Sequence, residues 1–160
     1  MNGSGRDAVS TRTRRTAAAI ALAATIAAGL ATRAAAVPDL LGDVAGDALY
    51  TVAVFAGVVL LAPRLGSPVV GAIAAGWSVA VELFQATGVP IALAAVFRPI
   101  ALVLGTGFDA RDLVVYVAAA VVAVLVDLAA GSTRRARRGA APFLPTPPPG
   151  RSAGEDGDPA

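Results

Sequence analysis

Glu82 and Gln85 are the residues of this sequence best placed to do chemistry. They lie near the end of an otherwise apolar run, Gly76-Trp77-Ser78-Val79-Ala80-Val81-Glu82-Leu83-Phe84-Gln85. Three apart on a helix, they share one face, and Ser78, four residues before Glu82, extends that face by a turn. A carboxylate in such a setting is costly unless it faces the protein interior, either as a partnered structural group or as a working one. The chemistry open to this face is binding a polar headgroup, a cation or a proton. Arg98 is the first candidate partner for Glu82.

Other groups join that face if the chain is a membrane bundle. Asp47 opens the second apolar segment and Asp112 the last, each as a helix cap or first-turn acid complementing the dipole or as a ligand. Arg111 and Tyr116 lie near the same level, although both Tyr50 and Tyr116 also suit a membrane interface. Asp127 falls at the opposite end of the last segment, where Arg134 or Arg135 could pair with it. Trp77 lies well inside its helix and is expected to pack. Gly71 and Ala75, with Gly57, suit close helix contacts.

Composition limits the choices. Hydrophobic residues make up 56% of the chain and charged residues only 15%, with a mean hydropathy of +0.71. A soluble domain is nearer a quarter charged, so the balance points to lipid. All 13 basic residues are Arg, and neither Cys nor His occurs. Disulfides, zinc-thiolate sites and His bases are therefore excluded, and no cofactor or metal site is indicated. The Arg clusters at both ends beside apolar runs read as orientation signals, not as a nucleic-acid surface.

Five apolar stretches must position these groups. Residues 1–15 read as a disordered cytoplasmic lead carrying Arg6, Arg12, Arg14 and Arg15. Residues 16–32 are uncharged, and fit either a retained helix ending at Arg33 or a signal peptide cleaved after Ala34-Ala35-Ala36. Residues 48–62 and 69–87 follow, separated by the turn Pro63-Arg64-Leu65-Gly66-Ser67-Pro68. The stretch 91–108 is broken by Arg98-Pro99 into pieces too short to span a core of about 30 Å. Residues 113–130 form the last helix, and the Pro/Gly-rich tail 131–160 reads as disordered. The expected fold is an all-α membrane protein with a transmembrane domain over 16–130. It has four transmembrane helices and a broken or re-entrant segment between the third and fourth. Four spans put both Arg-rich termini in the cytoplasm; a fifth would separate them and bury Arg98.

The chain resembles the bacterial integral-membrane family called domain of unknown function 2809, itself similar to the VanZ-like membrane proteins. The resemblance rests on Gly29-Leu30-Ala31-Thr32-Arg33, Gly46-Asp47-Ala48-Leu49-Tyr50, Glu82-Leu83-Phe84-Gln85 and Arg98. It continues through Leu104-Gly105-Thr106-Gly107-Phe108 and Asp112-Leu113 with Tyr116, in the family's order. Asp109-Ala110-Arg111 departs from the aromatic often found before the Asp. The resemblance implies a retained first helix, with Arg33 beside the polar cluster. It brings no biochemical activity with it.

The expected function is an envelope protein in the bacterial plasma membrane, among membrane lipids, that binds a lipid-linked or amphiphilic ligand. Arg98 or Arg111 would meet a ligand phosphate or carboxylate, while Glu82 and Gln85 orient it. The alternative is a small transporter or proton-coupled component using Glu82, enclosed by a homo-oligomer. A third reading, an enzyme with Glu82 and Asp112 as paired acids, lacks a nucleophile beside a recognisable base. Gly105-Thr106-Gly107 lacks the lysine of a phosphate loop.

Overall fold

Four long apolar helices account for most of the chain, because nearly every residue between the polar breaks is Ala, Val, Leu or Ile. The computed structural model describes residues 3–34, 39–104 and 107–139. Helix α1 is Gly3–Ala34, α2 Asp39–Leu61 and α3 Ser67–Gln85. A short α4, Val89–Val96, is followed by a 3-10 turn, Arg98–Ile100, by α5, Ala101–Leu104, and by α6, Ala110–Gly139. Among the described residues there is no strand. Thr11–Thr32, Leu40–Leu61, Ser67–Gln85 and Ala110–Thr133 are each long and apolar enough to cross a membrane.

The broken segment is the expected one. Eight residues of α4 cover about 12 Å, far less than a bilayer core. Gly88, at φ +73, reverses the chain between α3 and α4 in the left-handed region that favours glycine. Pro99 then limits the next piece to a single 3-10 turn.

Two helix starts differ from the sequence reading. Helix α2 begins at Asp39, so Asp47 lies two turns inside it and is neither a cap nor a first-turn acid. Asp39 and Asp43 stand four apart with no proline or glycine pair between them, and the helix continues through both. Helix α1 likewise runs from Gly3 instead of Thr16 and carries Arg12, Arg14 and Arg15 within it. The tail beyond Gly139 lies outside the described residues.

Helices α2, α3 and α6 pack against one another, and α1 packs along α2. Their shared core is Phe55 and Val59 of α2, Val70 and Ala74 of α3, Ala123 of α6 and Ala18 of α1. Large apolar side chains point outward in quantity, among them Ile73, Val114, Val121, Leu125 and Val126. An apolar exterior of this kind suggests a membrane-facing surface.

Gly71 brings α3 against α6. A Cβ built there would stand 2.3 Å from Val124 Cγ2, and a β-branched neighbour has few rotamers with which to yield. Gly57 and its surroundings are open, so it does not serve this purpose. Gly71→Ala gains helix propensity but overpacks the contact, and a net loss of about 1–2 kcal/mol is expected. Gly57→Ala should be neutral or stabilising, and thermal melts of the two variants compare them directly.

Candidate functional site

Glu82 faces inward from the last turn of α3 and is completely buried. Its Oε1 accepts the backbone N–H of Asp109 at 2.6 Å, and its Oε2 accepts the Tyr116 hydroxyl at 3.0 Å. The first bond comes from the residue that precedes α6, so the carboxylate also lies at the positive end of that helix. Arg98 does not pair with Glu82: it is exposed, and among the described residues no carboxylate pairs with it. The break that ends α4 at Val96 leaves Arg98 on the outside, and a backbone donor takes the expected place.

Tyr116 is the centre of the cluster. Only 4% exposed on α6, it points inward and not to an interface. Asp47 Oδ1 lies 3.5 Å from the same hydroxyl, a long contact beside the shorter one to Glu82. Asp112, in the first turn of α6, lies near Asp47. One turn deeper, Thr51 and Ser78 meet at 3.1 Å, with Thr51 also bonded to the Asp47 carbonyl. Two polar layers thus join α2 to α3, and the upper one extends to α6.

Gln85 leaves this cluster and binds the broken segment. Its Nε2 donates to the Leu104 carbonyl at 2.7 Å, satisfying a backbone acceptor that a short helix leaves over. Gln85→Leu is expected to cost about 1 kcal/mol. It should also speed limited proteolysis near Leu104, which a melt and a digestion time course would record.

Arg111 is held by Asp109, not aimed at a ligand. Its Nε lies 3.1 and 2.9 Å from the two carboxylate oxygens, and Nη2 completes an ion pair. Asp109 Oδ1 also accepts the Arg111 backbone N–H at 2.9 Å, which makes Asp109 the cap of α6. These bonds hold the Asp109 carboxyl down at about 2. The Asp-x-Arg spacing was the available signal for the cap.

Outside the cluster, Trp77 donates to the Tyr50 hydroxyl at 3.0 Å on the exterior face. It is 54% exposed, so it does not pack inside as its position in the helix suggests. The Arg33 side chain lies outside the described residues, as do Gly105 and Thr106.

At the other end of the bundle is a second polar group that sequence reasoning missed. Arg14 of α1 donates to the carbonyls of Pro63 and Leu65 at 2.8 and 2.6 Å and to Asp127 Oδ2 at 2.6 Å. Ser67 Oγ donates to the same oxygen at 2.8 Å. Asp127 pairs with Arg14; the side chains of Arg134 and Arg135, the expected partners, lie outside the described residues.

Four apolar helices with polar groups confined to interior layers near their ends suggest a multi-pass membrane protein. The chain belongs to the family described as Protein of unknown function (DUF2809), whose model matches residues 36–120, more than half of it. That match spans Asp47, Glu82, Asp109, Asp112 and Tyr116, and leaves out Arg14 and Asp127. No curated protein and no solved structure matches the chain.

Proposed function

We propose that the protein is a small proton-coupled component of the bacterial plasma membrane, with both termini in the cytoplasm. In this reading the Asp47–Glu82–Asp112–Tyr116 cluster takes up and releases a proton. The observation that supports it is the clustering of carboxyl groups around one phenol: Glu82 accepts the Tyr116 hydroxyl at 3.0 Å, Asp47 lies 3.5 Å from it and Asp112 stands near Asp47, with none of the three in an ion pair among the described residues. Arg111 is occupied by Asp109, and Arg98 is exposed. Carboxylates gathered this closely disfavour one another's ionised form, so the cluster is suited to holding a proton. Arg14, Arg64 and the Arg residues after Gly131, all toward one end, support that orientation. A bundle this small would complete a path as a homo-oligomer.

The test is proton movement into vesicles loaded with a pH-sensitive dye. Reconstituted protein should dissipate an imposed pH gradient, and Asp112→Asn, which keeps the shape and removes the titration, should slow it at least tenfold. Dissipation no faster than in protein-free vesicles overturns the reading.

A second reading, binding of a lipid-linked or amphiphilic ligand, draws on a different observation. Arg98 is exposed in the same broken segment whose Leu104 lines a shallow apolar recess of about 360 Å³ with Trp77, Val81 and Phe84. A ligand phosphate at Arg98 with its chain toward that recess would suit a cell-envelope role among membrane lipids. Phosphatidylglycerol should then raise the melting temperature more than phosphatidylcholine does, and Arg98→Ala should erase the difference.

A further inference from the structure

Toward the end marked by Arg14 and Asp127, and apart from the acidic cluster, α1, α2 and α6 line a half-open cavity of about 200 Å³. Ala17, Ala18 and Ala21 of α1, Phe55 and Val59 of α2, and Ala123 of α6 are among the residues of its wall. The cavity follows from the sequence of α1, whose alanines give no bulk to fill the angle between the other two helices. It also follows from how α1 is held, since this helix packs closely along α2 but only slightly against α6. Where α1 and α6 do meet, the Arg14–Asp127 ion pair joins them.

The lining decides what the cavity takes. A buried water needs two to four polar partners. The polar groups on this wall, Arg14 and Asp127, are bonded to each other and to Pro63, Leu65 and Ser67. An aliphatic cavity of about 150 Å³ in another protein stays dry and binds benzene-sized molecules, and this one is larger. The apolar outer faces of the same helices suggest a bilayer, so the apolar species at hand is a hydrocarbon tail.

We propose that this cavity is an acyl-chain site. One tail of a membrane lipid enters through the seam between α1 and α6 and lies against Ala18, Ala21, Phe55 and Val59. The site is independent of the proton reading, which concerns the other end of the bundle.

The experiment uses the full chain in phosphatidylcholine vesicles doped with a phosphatidylcholine carrying a photoreactive diazirine on one tail. Irradiation and peptide mass spectrometry map the labelled residues. Ala18, Ala21 and Phe55 should be labelled several-fold more than the outward-facing Val121 and Leu125, which any surrounding lipid reaches. Ala21→Leu, at an exposed alanine beside the cavity, should remove that excess and leave Val121 and Leu125 unchanged. Ala21→Val supplies the same comparison with a smaller side chain and a smaller decrease, should the leucine variant fail to fold. Labelling of the cavity no stronger than that of Val121 and Leu125 overturns the proposal. So does an excess that neither substitution reduces.

Discussion

Glu82→Ala is expected to lower the stability of the detergent-solubilised protein by about 3–5 kcal/mol. Truncation leaves the Asp109 N–H and the Tyr116 hydroxyl without their acceptor in a buried setting, at about 1–3 kcal/mol each. The space left by the side chain adds to this. Glu82→Gln keeps the shape but offers one oxygen and turns an NH2 toward the other donor, so roughly half the loss is expected. Arg98→Ala should be nearly neutral, and its effect should add to that of Glu82→Gln within about 0.5 kcal/mol, because the two side chains do not touch. Denaturant or thermal melts of the three single variants and the double variant settle both points. A Glu82→Ala variant as stable as the parent protein would remove the carboxylate's part in holding α3 to α6.

Arg14→Ala should cost about 3 kcal/mol, since it leaves Asp127 without a countercharge and frees two carbonyls at the 62–66 turn. Both partners are 19% exposed, enough burial for the unpaired charge to matter. Asp127→Ala leaves the guanidinium its two carbonyl partners, and a smaller loss is expected. The informative comparison is Arg14→Met with Asp127→Leu together, which should recover much of the stability because no charge is left alone. If the double variant is no better than Arg14→Ala, the carbonyl bonds and not the ion pair hold α1 in place.

What could be read from the sequence follows the reach of each interaction. The four helices were legible because their apolar runs are bounded by Pro63, Gly88 and Pro99, residues whose backbone effects are local. Glu82 stood out because a carboxylate in an apolar run is rare whatever surrounds it. Its partners were hidden for different reasons. The Asp109 N–H is a backbone group, and every residue but proline carries one, so no residue type announces it. Tyr116 suits an interface as well as an interior, and only the rotation of α6 decides between them. Arg98 was the more obvious partner by charge, but its long side chain follows a backbone broken at Pro99. Arg14 was hidden because the apolar run begins only at Thr16, whereas the helix begins at Gly3 and carries the arginine two residues before that run.

The pair formed by Arg14 and Asp127 joins residues 113 apart, which has a consequence for the order of biogenesis. The arginine leaves the ribosome long before its carboxylate exists. At 5–20 residues per second the wait is about 6–23 s. During most of that interval the Pro63 and Leu65 carbonyls have already been made and can receive the guanidinium, so the nascent chain has a provisional holding point for its first helix. Synthesis of Asp127 then converts a hairpin held by backbone carbonyls into a closed ring of helices, and release from the insertion machinery before that moment would leave the ring open.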